Sequence, residues 1–336
     1  VTGAAAVDVL LPVRDGASTL EQTLASIRAQ TLPDFRCLVL DDGSRDGSAD
    51  LAERVAREDR RFEVHRLAPR GIVATLNDGL ALATAERLAR IDADDVMLPE
   101  RLARQVAFLD GNPDIQVVAS RVEFFGGMIS VNLRAYERWL NALLTPVAIA
   151  RELFVESPIP HPSVTMRTSA LRAVGGYRDL PFPEDYDLWL RGLRAGWNFG
   201  KLDEVLTRLR DHPRRLTWTD SRYAARAFLE CKAEHLVALR SLEGREVVVW
   251  GAGRDGKRMA KALRRRGALL RHLVDIAPTK LGRSMLGVRV LPPESLAAAP
   301  RAFVVAAVGI KGARAEIRSA LEAMDYCEGE DFVCVG

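Results

Sequence analysis

Apolar and polar positions alternate along the first hundred residues in a strand–helix–strand rhythm. Val7–Leu11 is apolar enough for a strand buried on both faces, and it runs into the turn-rich Pro12-Val13-Arg14-Asp15-Gly16. Ser18 with Glu21 three residues on reads as a capping box, after which Leu20, Leu24 and Ile27 fall on one helical face. Phe35–Leu40 then reads as a second strand ending in Asp41-Asp42-Gly43-Ser44, which completes a βαβ unit. The pattern predicts a helix over Ser48–Arg57, a strand over Phe62–Leu67, a helix carrying Ile72, Leu76 and Leu80, and a strand over Arg87–Ile91. That strand ends in Asp92-Ala93-Asp94-Asp95.

Beyond it, Pro99 suits the first turn of a helix with Leu102, Val106 and Leu109 on one face, followed by a strand at Gln116–Ala119. Residues 121–154 are harder to assign and hold a helix around Tyr136–Leu144; Ser163–Arg167 reads as a strand and Asp185–Ala195 as a helix. A helical stretch, Arg222–Leu242, leads to Gly244, where a second α/β pattern starts. Strands are expected at Val247–Trp250, Leu269–Val274, Gly287–Val290, Phe303–Val308 and Asp331–Val335, with a helix at Arg258–Arg266.

Composition narrows the classes. Lys and Arg total 48 against 45 Asp and Glu, a net charge of +3, which is too balanced for a protein that lives on nucleic acid. The longest apolar run, Ala302–Val308, is far short of the ~20 residues that cross a bilayer, and no signal-peptide core stands at the start. The expectation is a cytoplasmic protein without a membrane span. Cys37, Cys231, Cys327 and Cys334 show no CxxC spacing, so they read as core thiols rather than as disulfides or zinc ligands.

Both acidic clusters stand at the carboxyl ends of predicted strands, where open α/β sheets bind ligands. Carboxylates this close repel one another unless a cation or several donors compensate. Asp92, Asp94 and Asp95 therefore ask for Mg2+ or Mn2+, hard ions that take oxygen ligands and bridge to phosphates. The alternative is an acidic turn feeding the next helix, where negative charge suits the macrodipole. Asp41-Asp42-Gly43-Ser44 offers acceptors for the N–H of a base and for ribose hydroxyls, or is simply a turn.

Leu11-Pro12-Val13-Arg14-Asp15-Gly16, Ser26-Ile27-Arg28-Ala29-Gln30-Thr31, Asp41–Ser48, Leu76-Asn77-Asp78-Gly79-Leu80, Asp92–Asp95 and Glu184-Asp185-Tyr186-Asp187-Leu188-Trp189-Leu190-Arg191, in that order, resemble the family 2 glycosyltransferases of the GT-A fold over about residues 7–215. The resemblance implies an inverting transfer from a nucleoside-diphosphate sugar, UDP-linked, to an acceptor hydroxyl of a glycan or surface polysaccharide, with Mn2+ or Mg2+. By position it implies base contacts at Pro12, Val13 and Asp42, metal ligation at Asp94 and Asp95 with Asp92 nearer the ribose, and Asp185 as the base. Arg70 and Asn77 are candidate nucleotide contacts. His161, Glu184, His212 and Arg215 are candidates for the acceptor or diphosphate side. No Gln-x-x-Arg-Trp motif follows the Glu-Asp pair, so addition of single sugars is favoured over processive synthesis. The resemblance is also compatible with peripheral association at the inner membrane face.

Gly251-x-Gly253-x-x-Gly256 follows a strand, opens a helix and has Asp275 at the end of the next strand, the context of a dinucleotide fingerprint. About 93 residues from Gly244 supply only one mononucleotide-binding half. The domain expectation is a GT-A catalytic domain over 7–215, a helical linker over 216–243 and a smaller Rossmann-like domain over 244–336 that binds a nucleotide or joins copies into a homo-oligomer. Two other readings stay open: an NAD(P)-dependent sugar oxidoreductase or epimerase using Gly251, Gly253, Gly256 and Asp275, and a non-catalytic nucleotide-sugar binding protein.

Overall fold

A computed structural model describes residues 5–297, 301–310 and 312–336. Its contacts fall into two units. One runs to Ala150 and includes Pro158–Leu180 and Arg191–Asp220; the other comprises Arg151–Ser157, Pro181–Leu190 and Ser221–Gly336.

Up to Thr219 the elements are β1 (Val7–Val13), α1 (Ala17–Arg28), β2 (Phe35–Asp41), α2 (Ser48–Glu58), β3 (Phe62–Arg66), α3 (Ile72–Leu82), β4 (Arg87–Arg90), β5 (Val96–Met97) and α4 (Arg101–Gly111). They continue as β6 (Ile115–Gly126), α5 (Val131–Ala142), α6 (Pro146–Glu152), β7 (Thr165–Arg167), α7 (Thr168–Ala173), α8 (Glu184–Arg194), β8 (Asn198–Asp211) and α9 (Leu216–Thr219). The eight strands form one mixed sheet in the order β3-β2-β1-β4-β7-β6-β8-β5. The β3-β2-β1-β4 half is parallel, and β7 pairs antiparallel with both β4 and β6.

The α1 stripe of Leu20, Leu24 and Ile27 packs with Val9, Leu11 and Val39 in one core cluster, as the periodicity predicts. The start of α1 differs from expectation. Gly16 is the N-cap and Ser18 lies inside the helix without a capping hydrogen bond. The orphan amides are met from the neighbouring loop instead: the Gly16 N–H donates to Ser48 Oγ (3.0 Å) and the Ala17 N–H to Asp46 Oδ2 (2.9 Å). Similarly, α4 begins at Arg101, after Pro99, with Glu100 at its N-cap.

Inside the apolar run of β1 sits Asp8, fully buried. Arg36 donates to both of its oxygens (2.8 and 3.0 Å), and the amides of Thr84 and Ala85 donate to Oδ2 (2.6 and 2.9 Å). A buried carboxylate with four donors ties β1 to β2 and to the chain after α3.

The second unit holds α10 (Ala225–Val237), β9 (Val247–Trp250), α11 (Arg254–Arg265), β10 (Leu270–Val274), β11 (Ser284–Met285), β12 (Val288–Leu291), β13 (Phe303–Ala306), α12 (Ala313–Glu322) and β14 (Phe332–Cys334). Their sheet order is β11-β12-β10-β9-β13-β14, parallel except for β11. Val248, Trp250, Val304, Ile317, Leu321 and Phe332 form its core. By contacts α10 clusters with this sheet, as do Arg151–Ser157 and the first part of α8.

Among the cysteines, Cys37, Cys231 and Cys334 are buried, but Cys327 is exposed, on the turn that leads into β14, so it is not a core thiol. Among the described residues no helix is long and apolar enough to cross a membrane.

Candidate active site

The registers Val13↔Asp41 and Leu10↔Arg90 bring the carboxyl ends of β1, β2 and β4 to one rim of the first unit. Side chains lock the three following loops together. The Asp15 N–H donates to Ser44 Oγ (3.0 Å) and the Arg45 N–H to Asp15 Oδ1 (2.8 Å). Thr19 and Thr23 of α1 donate to the carbonyls of Ala93 (3.1 Å) and Asp95 (2.8 Å). Both acidic clusters are thereby fixed at one rim.

Asp92, Asp94 and Asp95 each bring an oxygen within 4.8 Å of the others. Asp92 Oδ1 pairs with the buried Arg90 at 2.6 Å. Asp94 Oδ2 accepts from His212 Nε2 at 2.8 Å; because His212 Nδ1 accepts the Arg214 N–H (3.2 Å), the hydrogen-bond network assigns the proton to Nε2. Asp95 is 1% exposed and its Oδ1 accepts the Arg210 N–H at 2.7 Å, while Oδ2 is buried with no hydrogen-bond partner.

Burial first, and then the neighbouring acids, push the carboxyls of Asp94 and Asp95 above the usual range, Asp95 well above it. His212 and Arg215 offset part of this at Asp94; Arg215 and the Arg210 amide do so at Asp95. An orphaned buried carboxylate oxygen beside two more acids fits a hard divalent cation.

Arg215 lies with its guanidinium 5.8 Å from the Phe124 ring centroid. Arg210 spans the same rim, donating to the Asp94 carbonyl (2.9 Å) and to Gln22. Arg101, on α4, is fully buried; burial lowers it to about 9, against the opposing pull of Asp95. Its Nη2 donates to the carbonyls of Arg90 (2.7 Å) and Val164 (3.0 Å). Nothing in the helical spacing of α4 distinguishes Arg101 from a surface arginine, so the sequence offered no signal for it.

At the second cluster the Asp42 carboxylate is occupied by the fold. Its Oδ1 accepts the Arg70 N–H (2.7 Å), its Oδ2 accepts the Gly71 N–H (3.0 Å), and Arg14 Nη1 adds an ion pair at 3.0 Å. Asp42 thus pins the loop between β3 and α3. Asp41 takes the Ser44 N–H on Oδ2 (3.2 Å), whereas its Oδ1 is buried without a partner. Pro12 and Val13 are buried at the end of β1, with the Val13 carbonyl accepting the Asp42 N–H (2.8 Å).

Other candidates make contacts within the fold. Arg70 is ion-paired with Asp78. Asn77 clasps one backbone position: its Nδ2 donates to the Tyr177 carbonyl and its Oδ1 accepts the Tyr177 N–H, both at 2.9 Å. Asn77→Ala is accordingly expected to lower stability by about 1–3 kcal/mol, since it orphans two backbone groups, and to leave nucleotide affinity unchanged; denaturant melts and UDP titrations read the two effects. His161 is buried against Tyr177, Nε2 to hydroxyl at 2.9 Å, and burial with the nearby Arg90 charge keeps its imidazole well below the usual range.

In the second unit, Asp185 stands half-buried in the first turn of α8, its Oδ1 accepting the Tyr186 N–H at 2.7 Å. Glu184 is buried and accepts from the Tyr223 hydroxyl (3.0 and 2.9 Å); Asp187 pairs with His235 Nε2 at 3.0 Å. The glycine turn after β9 is tight for reasons of packing. A Cβ on Gly256 would meet the Gly251 carbonyl at 1.7 Å, and one on Gly251 would meet the Ala307 carbonyl at 2.7 Å; around Gly253 the space is open. Asp275 accepts from the Ala252 and Ala277 amides (both 2.9 Å) and from Lys280 Nζ (2.7 Å). Burial raises its carboxyl, but these donors outweigh burial and hold it below the usual range. The acid expected to meet a ribose thus accepts three hydrogen bonds within the second unit.

Residues 8–175 match the family model for glycosyl transferase family 2. EpsE of Bacillus subtilis, a protein assigned to the glycosyltransferases, is 31% identical over 210 residues, covering 61% of this chain and 73% of its own. The amylovoran biosynthesis glycosyltransferase AmsE of Erwinia amylovora is 30% identical over 192 residues, 57% of this chain and 70% of its own. Among solved structures, S. aureus TarS 1–349 in complex with UDP-GlcNAc superposes with a TM-score of 0.56 at 17% identity, over 77% of this chain and 72% of that one. That likeness carries the fold, the mixed α/β sheet of the GT-A glycosyltransferases. Asp185 and the C-terminal sheet lie outside the matched residues. With half of its length matched and its acidic loops gathered at one rim of that sheet, the chain belongs to glycosyl transferase family 2.

Proposed function

We propose that the chain is an inverting, metal-dependent glycosyltransferase that moves a sugar from a UDP-sugar to an acceptor hydroxyl during glycan or surface polysaccharide synthesis. The observation that carries the reading is the rim of Asp92, Asp94 and Asp95 with its orphaned Asp95 oxygen. Asp94 and Asp95 would hold Mn2+ or Mg2+, which when bound neutralises charge growing on a leaving diphosphate. The name of AmsE, an amylovoran biosynthesis glycosyltransferase, supports the pathway, and the UDP-GlcNAc bound to TarS supports the donor class.

The chain's own residues divide the remaining work. Pro12, Val13 and Asp42 receive the base beside Asp41, with Asp42 also holding the β3–α3 loop in place. Asp92 faces the ribose. Arg215 compensates the diphosphate, as a guanidinium suits phosphate oxygens, while His212 on the same side holds Asp94. Asp185 accepts the acceptor hydroxyl's proton as that oxygen attacks, so no covalent intermediate is needed. We assign this chemistry to residues 7–215 and read residues 244–336, with their β12-β10-β9-β13-β14 order, as a Rossmann-like domain joined through a helical linker.

A screen of nucleoside diphosphate sugars with and without Mn2+ tests the reading. Turnover of a UDP-sugar that requires the ion and is lost in Asp94→Asn supports it; UDP binding with no turnover across a broad acceptor panel overturns it. His212→Ala is expected to raise the Mn2+ concentration for half-maximal rate about 10–100-fold, because the imidazole orients Asp94 through its hydrogen bond. A metal titration of the initial rate reads this directly.

A further inference from the structure

The second unit contains a cavity of about 470 Å3 for which the transfer chemistry has no use. Its walls come from α10 and α11 and from the chain just past β13 and β14, where Ala307, Gly309 and Val335 stand. The strand order reverses at β9, with β10 and β12 to one side and β13 and β14 to the other. Open parallel α/β sheets take their ligands outside the carboxyl ends of the strands at such a reversal. The cavity occupies that position on the β13 side.

Its lining is cationic over an apolar bed. Five basic side chains face two acids, and both acids are already engaged: Glu230 pairs with Arg265 and Arg266, and Asp255 with Arg254 and Arg258. Arg226 and Lys261 are exposed at the rim and form no ion pair among the described residues. Lys232 is the second, independent pointer. It is only 9% exposed and donates to the carbonyls of Val155 (2.6 Å) and Val335 (3.0 Å), which uses two of the three N–H groups of an ammonium. Leu229 and Met259 supply the apolar surface.

From this arrangement we infer that the second unit binds a small organic phosphate, its phosphate held by Arg226, Lys261 and the remaining Lys232 donor and its organic part resting on Leu229 and Met259. The volume lies within the roughly 300–1,000 Å3 of small-molecule sites and is far more than an inorganic phosphate fills. The ligand is not a dinucleotide read through its ribose diol, because Asp275 is already committed to Lys280 and two amides. The inference uses no residue of the acidic rim and stands whether or not the transferase reading does.

The test is calorimetric titration of the full chain carrying Asp95→Asn, in chelator, with UDP, glucose 1-phosphate and inorganic phosphate as separate probes. At least one organic phosphate is expected to bind with one-to-one stoichiometry, at least tenfold more tightly than inorganic phosphate. Adding Arg226→Ala and Lys261→Ala is expected to weaken it at least tenfold, and both sites are exposed, so the fold is not at risk. UDP as the tighter probe identifies a nucleotide and glucose 1-phosphate a sugar phosphate. Equal affinity for inorganic phosphate, no binding by either organic probe, or an affinity unchanged by the double substitution overturns the inference. Failure of the transferase reading would instead show as absent turnover in the unsubstituted enzyme.

Discussion

Asp95→Asn is expected to cut sugar transfer by about 10^3-fold or more while raising the melting temperature of the metal-free protein. The two effects share one cause. In the absence of a cation the Asp95 carboxylate is a cost to the fold: it is buried, one oxygen has no partner, and Asp94 and Asp92 repel it. Its folded pKa is raised, so its contribution is most favourable at low pH and is lost as pH rises through the folded value. An asparagine keeps the oxygen that accepts the Arg210 amide and turns the orphaned position into a donor among carboxylates. Relief on the order of 1–3 kcal/mol follows from removing an unsatisfied buried group. The same exchange removes the charge that would hold a divalent ion, and a Lewis acid at a leaving diphosphate lowers the barrier by several kcal/mol; losing about 4 kcal/mol corresponds to losing about 10^3 in rate. Thermal melts in chelator and in Mn2+, beside initial rates, separate the two. Unsubstituted protein should gain stability from Mn2+ and the variant should not. A variant that melts lower in chelator and keeps its metal response would contradict the argument.

The parts of this rim that could be read from the sequence were those where an apolar run ends abruptly in acids. Val7–Leu11, Phe35–Leu40 and Arg87–Ile91 had to be neighbouring parallel strands once the helices between them were seen, which put Asp41, Asp42 and Asp92–Asp95 at one edge. What stayed hidden depends on contacts distant in sequence. The long strand β8 alternates charged and apolar residues, and its pairing with β6 is broken by register shifts, so no apolar run announces it. Yet β8 delivers Arg210 and leads directly to His212, two groups that touch the acids. Asn77 sits in a recognisable motif, but only the fold reveals that its amide is consumed by Tyr177, a hundred residues on. In the C-terminal unit the glycine spacing marked the order strand, turn, helix, although α11 starts at Arg254, inside the stretch read as turn, and the contacts of Asp275 depended on Lys280, whose side chain no periodicity could aim. Local pattern thus located the acids, and tertiary partners decided which of them remain available to a ligand.

Asp185→Asn is expected to abolish most transfer without unfolding the protein, and Asp187→Ala to do the reverse. Both acids lie in the first turn of α8, where negative charge is favourable, so position alone gives them the same structural value. Their surroundings separate them. Asp187 is 1% exposed and paired with the fully buried His235, so it fixes the start of α8 to α10. Asp185 is half-buried, and its Oδ1 accepts its own helix's Tyr186 amide, a local bond that an asparagine oxygen would keep. Asp187→Ala should therefore destabilise the protein by about 3–5 kcal/mol through a broken buried pair, with rates falling only as far as the folded fraction falls. Asp185→Asn should leave the stability within about 1 kcal/mol of the parent, since a partly exposed substitution that keeps its local hydrogen bond disturbs little. If Asp185 takes the acceptor proton, its loss should lower kcat by about 10^2–10^4-fold with UDP affinity unchanged. Initial rates, UDP titrations and melts on the two variants read all three quantities. Should Asp185→Asn retain the parent kcat, the proton must go to another group, and the assignment of inversion through this helix turn falls with it.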